Sequence, residues 1–182
     1  MKQSIKACLL LGMLGLGAGC TGIPDGVTVV QNFELERYLG TWYEIARLDH
    51  RFERGLSNVT ATYTPRDDGG LHVVNRGYDE SAGEWDEATG KAYFVGEADV
   101  GRLKVSFFGP FYGAYNILEL DREAYQYALV AGPNRSYLWI LTRSPNPDPA
   151  TVERLVATAA ELGFPTGELI RVQHDRASPE SR

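Results

Sequence analysis

The stretch Gly40-Thr41-Trp42-Tyr43 and, about a hundred residues later, the stretch Leu138-Trp139-Ile140-Leu141-Thr142-Arg143 carry the strongest structural signal in this chain. Both are rich in the aromatic and branched residues that favour β-strands. Together with the runs between them they predict eight strands, at 42–48, 59–64, 71–78, 85–95, 103–108, 114–120, 125–131 and 137–142. Clusters of Gly, Pro, Asn and Asp between the runs predict tight turns. Strands at such short, regular spacing predict an all-β fold, either a closed antiparallel barrel or a sandwich.

One helix and one short strand follow. Asp148 before Pro149 is typical of a helix start, and Gly163 with Pro165 is typical of a helix end. The apolar residues between these signals recur at helical spacing and are Val152, Leu155, Val156, Ala159 and Leu162. The stretch 169–172 predicts a ninth strand.

The first residues predict a secretory signal peptide, 1–19. Lys2 and Lys6 precede an apolar run at 7–16, which is too short to cross a bilayer roughly 30 Å thick. The stretch Leu16-Gly17-Ala18-Gly19-Cys20 resembles a bacterial lipobox, in which Cys20 becomes the lipid-modified first residue, and Thr21 then favours the outer membrane. Small residues at 17 and 19 also suit ordinary cleavage, which would release a soluble periplasmic or secreted protein. We expect the lipoprotein, with a tether at 20–26, a domain at 27–175 and a disordered tail at 176–182.

Composition excludes several classes of function. Loss of Lys2 and Lys6 leaves 16 basic and 24 acidic residues, a net charge of −8, which disfavours nucleic acid. Since Cys8 leaves with the signal peptide, Cys20 has no partner for a disulfide within the chain. The three histidines have no metal-ligand spacing, and no serine stands in a Gly-x-Ser-x-Gly turn. We therefore expect no metal, no cofactor and no catalysis.

The motifs taken together resemble the lipocalin family. Gly-x-Trp-Tyr at 40–43, Leu120-Asp121 ahead of Tyr125, Arg143, the helix and the ninth strand follow the lipocalin order over about 27–173. The phrases 37–47 and 105–113 are most similar to bacterial outer-membrane lipoprotein lipocalins and their apolipoprotein D-like relatives. The resemblance implies an eight-stranded up-and-down antiparallel β-barrel that holds one small hydrophobic molecule, with one C-terminal α-helix and a short ninth strand.

An up-and-down barrel places alternate loops at the same end. Trp42, the turn at 121–124 and Arg143 therefore share one end, where the guanidinium can stack on the indole and close the barrel. We expect Trp42 and Arg143 to be structural. The loops 49–56, 79–84, 109–113 and 132–135 form the opposite end, the mouth.

The two-residue period of a strand then predicts the wall of the interior. Counting from Trp42 and Arg143, and taking Phe107 with Leu103 and Val105 on the fifth strand, the predicted ligand-binding residues are Glu44, Ala46, Phe107, Tyr112, Tyr137, Trp139 and Leu141. Burial should raise the pKa of Glu44. Phe111 and Tyr112 form an apolar lid or a surface for a homodimer.

The sequence thus predicts an outer-membrane lipocalin, anchored through Cys20, that stores or moves a fatty acid such as palmitate or a lysophospholipid. The loop 49–54, with Arg47, holds either the charged head of such a ligand or only solvent. The alternative is a non-catalytic envelope interaction or maintenance lipoprotein whose barrel is filled by its own side chains.

Overall fold

A computed structural model of the protein describes residues 21–177. The predicted signal peptide, Cys20 and the end of the predicted tail lie outside the described residues. Among the described residues, no helix has the length and apolar character needed to cross a membrane.

The predicted eight-stranded barrel is confirmed. Its strands are β1 (Gly40–Arg47), β2 (Leu56–Pro65), β3 (Leu71–Asp79), β4 (Glu84–Phe94), β5 (Arg102–Ser106), β6 (Gly113–Leu120), β7 (Tyr127–Ala131) and β8 (Leu138–Thr142). Each strand pairs antiparallel with the next one along the chain. Because β1 pairs with both β2 and β8, the sheet closes on itself and encloses an interior.

A short helix, α1 (Leu35–Tyr38), covers one end of the barrel. The chain before it runs along the wall, where Val30 N donates to Ile117 O at 2.9 Å and Phe33 N donates to Asp99 O at 2.7 Å. Phe33 and Tyr38 are buried in the same apolar cluster as Trp42. This end of the barrel is therefore closed by side chains, as the position of Trp42 and Arg143 predicts.

The predicted C-terminal helix, α2 (Pro149–Glu161), packs on the outside of the barrel. The carboxylate of Asp148 caps it by accepting a hydrogen bond from Ala150 N. Val152, Leu155 and Ala159 are buried in a second apolar cluster, which α2 forms with outward-facing side chains of β1, β7 and β8. The predicted ninth strand, β9 (Ile170–Arg171), pairs with the end of β1.

A bulge in β1 changes the direction of its side chains. Glu44 lies opposite Leu141 and Ala46 lies opposite Ile140, so Ile45 is an extra residue between them. Ala46 consequently packs beneath α2, outside the barrel. The prediction that Ala46 faces the interior is wrong, because a strict two-residue count does not allow for the bulge.

Candidate functional site in the barrel interior

Arg143 closes the end of the barrel opposite the mouth. Its guanidinium lies 3.9 Å from the centre of the Trp42 ring, the predicted contact. It also donates hydrogen bonds to three carbonyl oxygens, at 2.9 Å to Thr41, 2.8 Å to Arg37 and 3.3 Å to Tyr125. One side chain thus joins β1, α1 and the turn before β7, which suits a structural role.

Three tyrosine hydroxyls meet above this closed end. The hydroxyls of Tyr38 and Tyr115 lie 2.7 Å apart, and Tyr63 donates to Tyr115 at 2.9 Å. Burial, the largest contribution, raises the pKa of each of these phenols, so all three stay neutral at physiological pH. This tyrosine cluster (Tyr38, Tyr63 and Tyr115) gives an otherwise apolar interior a polar floor.

Several predicted ligand-binding residues line the wall above the floor. Leu141 is buried inside the barrel, and Trp139 and Phe107 pack against the same apolar cluster. Tyr137 lies at the end of β8 nearest the mouth, with its ring centre 6.3 Å from that of Trp139. Tyr137, Trp139 and Leu141 therefore line the β8 side of the interior, and Phe107 follows β5 on another side.

Tyr112 occupies a different place. Its ring lies 5.0 Å from the Lys104 ammonium and 6.4 Å from the Tyr93 ring, both of which point away from the interior. The alternation along β5 sends Leu103 and Val105 inward and Lys104 outward. Tyr112 therefore belongs to the outer wall and is not part of the interior lining.

Some inward-facing side chains remain partly exposed although the barrel is closed. The side chains in question pack against the apolar cluster of the interior. They belong to Ala61, Val105, Phe107, Tyr115 and Trp139. These side chains therefore belong to the interior lining without being fully buried in it.

Four charged or polar side chains are buried together just inside the mouth. This mouth cluster contains Glu44, Arg47, His50 and Glu53, each with at most 7% of its surface exposed. Arg47 donates to the Glu44 carboxylate at 2.7 Å and to the carbonyl oxygens of Glu53 and Leu56. His50 Nε2 lies 3.0 Å from Glu53 Oε2. The Arg47 guanidinium is thus held by the protein's own groups.

The two carboxyls of the mouth cluster have pKa values that move in opposite directions. Burial, with repulsion from Glu53, raises the pKa of Glu44 well above its ordinary value, and Arg47 offsets only part of this. Although burial opposes it, hydrogen bonds from His50 and from Trp139, whose Nε1 donates at 3.1 Å, lower the pKa of Glu53.

Sequence reasoning missed the tyrosine cluster and most of the mouth cluster. Tyr63 and Tyr115 lie on strands whose inward face was not assigned, although alternation with Ala61 and Leu103 would have marked them. Arg47 turns inward only because of the bulge after Glu44. Between residues 21 and 177, no group of three or more His, Cys, Asp or Glu side chains is arranged to hold a metal ion.

Comparison with known proteins agrees with this architecture. The lipocalin-like domain family matches residues 33–174. The chain is 58% identical to the outer membrane lipoprotein Blc of Vibrio cholerae serotype O1 over 169 residues, which cover 93% of this chain and 99% of that protein. It is 59% identical to Blc of Escherichia coli strain K12, over 82% of this chain and 84% of that protein. Rat apolipoprotein D is 33% identical, over 70% and 69%.

A solved structure shares the fold. Insecticyanin from the tobacco hornworm Manduca sexta superposes with a TM-score of 0.67 at 22% identity, covering 84% of this chain and 86% of that one. The names of the bacterial relatives agree with the outer-membrane location that the sequence predicts.

Proposed function

This chain belongs to the lipocalin family, and we propose that it binds one fatty acid or lysophospholipid inside its barrel, to store or move it at the outer membrane. The partly exposed apolar side chains of the interior carry the proposal. An interior lined by Val105, Phe107, Trp139 and Leu141 suits a single acyl chain.

The mechanism is burial without a covalent step. Each methylene group that leaves water for the interior contributes roughly 0.8 kcal/mol before entropy costs are counted. We expect the acyl chain to lie along Trp139 and Leu141 and the polar head to remain near the mouth. Arg47 is already paired with Glu44, so the exposed Arg51 of the mouth loop is the cation available to an anionic head.

We further propose that Cys20 carries the lipid anchor. The residues that follow it run along the barrel wall, where Thr21 O accepts a hydrogen bond from Arg102 at 3.1 Å and Gly22 O accepts one from Asn116 at 2.9 Å. An anchor on Cys20 would therefore hold the barrel directly beside the membrane.

A barrel filled by its own side chains remains the second candidate, since the tyrosine cluster already occupies the floor. The incomplete burial of Val105 and Trp139 agrees with the first candidate.

The two candidates are separated by titrating the chain from Thr21 onward with a fluorescent fatty acid while Trp emission is recorded. Trp139→Ala removes an aromatic ring from the interior wall. Trp85→Ala is the matched control, because Trp85 pairs with Tyr78 on the outward face of β3 and β4.

We expect saturable binding to one site, competition by lysophospholipid, and a weaker affinity for Trp139→Ala but not for Trp85→Ala. If the parent chain does not bind at micromolar ligand, the barrel is filled and the interaction function takes its place.

A further inference from the structure

We propose that the mouth of the barrel docks on a zwitterionic phospholipid bilayer by inserting Phe52, Phe108 and Phe111, the rim phenylalanines. This inference rests on the proposed function, because a protein that stores or moves fatty acids must exchange them with a bilayer. It adds the surface through which the exchange takes place.

The rim phenylalanines are the most exposed large apolar side chains of the described residues. Their exposed fractions are 63% for Phe52, 80% for Phe108 and 78% for Phe111. Phe52 lies in the loop between β1 and β2, and the other two lie in the loop between β5 and β6. Both loops are at the mouth, so apolar surface is concentrated where an apolar ligand enters and leaves.

The two loops face each other across the mouth. In the closed strand order, β1 lies on the opposite side of the barrel from β5. Eight strands about 4.8 Å apart make a barrel roughly 15 Å across, so the rings stand on two sides of one opening. A bilayer surface is flat over this distance. Both loops can therefore insert at the same time when the barrel axis is perpendicular to the membrane.

The loops hold the rings outward. Phe111 N donates a hydrogen bond to Phe108 O at 3.1 Å, so a tight turn carries both rings at its tip. On the other side, the Phe52 ring stacks on His50 at 4.0 Å, and His50 packs at 5.1 Å against Trp139 of the interior wall. An aromatic surface thus runs from the rim into the binding groove, where it can guide an acyl chain.

The charges around the mouth favour a zwitterionic surface over an anionic one. Arg51 is exposed next to Phe52, and Arg54 forms an exposed ion pair with Asp49. The turn between β3 and β4 is acidic, with Glu80 and Glu84 both exposed. Because the rim carries both positive and negative charges, anionic lipid adds little to its binding free energy. Insertion of the phenylalanine rings is then the main contribution, and added salt should change membrane binding little.

The start of the described chain lies on the flank that carries Phe108 and Phe111. Arg102 and Asn116, which bind residues 21 and 22, are neighbours on β5 and β6. From there to the loop tip is five or six strand residues, roughly 20 Å, a distance that residues 21–26 span only after they leave the wall and extend. An anchor at Cys20 would then hold the rim near the same membrane and raise its effective concentration there.

Vesicle flotation tests the rim without the anchor. Residues 21–182 are mixed with vesicles of phosphatidylcholine and phosphatidylethanolamine, as the parent chain, as Phe52→Ser and as the double variant Phe108→Ser with Phe111→Ser. Ile170→Ser is the matched control, because Ile170 is an exposed apolar residue on the flank, in β9.

We expect the parent and Ile170→Ser to bind vesicles equally at low and high salt, and the double variant to bind at least about tenfold more weakly. Fatty-acid affinity in solution should be equal in the parent, Ile170→Ser and the double variant, because Phe108 and Phe111 lie outside the barrel lining and away from the aromatic contact between Phe52, His50 and Trp139. Absence of parent binding, equal binding by the double variant and the control, or loss of binding in salt would overturn the docking surface.

Two further results would also overturn it. If the double variant loses fatty-acid affinity in solution, the rings belong to the ligand site. If the parent sediments as a dimer and the double variant as a monomer, the rim is a surface for a second copy of this chain. Failure of the proposed function has a different signature, since the parent would then bind no fatty acid whether or not it binds vesicles.

Discussion

At the scale of single residues, Glu44 links stability to pH. Its pKa is higher in the folded chain than in the unfolded chain because of burial and Glu53. In the unfolded chain the pKa of Glu44 is near 4.5. At pH values between this and the folded pKa, the Glu44 carboxyl is protonated in the folded chain and ionised in the unfolded chain. Over that range the free energy of unfolding falls by up to about 1.4 kcal/mol for each unit by which the pH rises. Glu44→Gln has no carboxyl at this position, so its stability does not fall with pH for this reason. We therefore expect its stability relative to the parent to rise with pH, as measured by urea unfolding between pH 5 and pH 9.

Glu53 does not obscure this comparison. Its pKa is lowered, so it stays ionised over the same pH range in both proteins and its contribution cancels. Glu84→Gln, the same change at an exposed position of β4, should run parallel to the parent at every pH. A constant difference between Glu44→Gln and the parent would show that Glu44 does not hold the proton.

Arg143 provides a second prediction at this scale. Lysine keeps the charge but not the planar group that stacks on Trp42 and reaches three carbonyl oxygens. Arg143→Lys should lower the free energy of unfolding by about 1–3 kcal/mol, since hydrogen bonds from a charged donor and a cation–π contact are lost. Denaturant unfolding measures this. Arg51→Lys, at an exposed position of the loop between β1 and β2, should change stability by less than about 0.5 kcal/mol.

At the scale of elements, β1 shows what the sequence can and cannot predict. The strand, its neighbours and the inward direction of Glu44 follow from composition, turn residues and period. The bulge does not, because Glu44, Ile45, Ala46 and Arg47 are all buried between the barrel interior and α2, so no polar alternation marks the extra residue. The sequence places Glu44 inside and Arg47 with the loop 49–54 at the mouth, but it does not predict that they are buried together, since Arg47 points inward only after the bulge. A four-residue helix such as α1 is too short to show a period.

The role of α2 can be tested separately from that of the barrel interior. Leu155 is fully buried between the helix and the outer wall, so Leu155→Ala should cost about 2–5 kcal/mol of unfolding free energy. The neighbouring Val156 is only partly buried, and Val156→Ala should cost less. Neither change touches the interior lining. Fatty-acid affinity of the folded variants, measured by titration well below their unfolding midpoints, should therefore match the parent, and a loss there would mean that α2 shapes the binding groove.

At the scale of the whole molecule, the closed sheet couples ligand binding to the stability of the fold. A ligand that occupies the interior binds only the folded barrel, because unfolding opens the pairing of β1 with β2 and β8 and disperses the lining. At a free ligand concentration a hundred times the dissociation constant, the folded state gains about 2.7 kcal/mol. For a chain of this size the midpoint of thermal unfolding should then rise by roughly 5–10 °C.

Palmitate is a suitable probe of this linkage. We expect the midpoint of the parent chain to rise with the logarithm of palmitate concentration, and the midpoint of Trp85→Ala to rise by the same amount. Trp139→Ala should show a smaller rise, because its interior wall has lost the ring that also donates to Glu53. A midpoint that does not move in the parent would mean that the tyrosine cluster and its neighbours leave no room for a ligand. The stability of the barrel would then be independent of lipid.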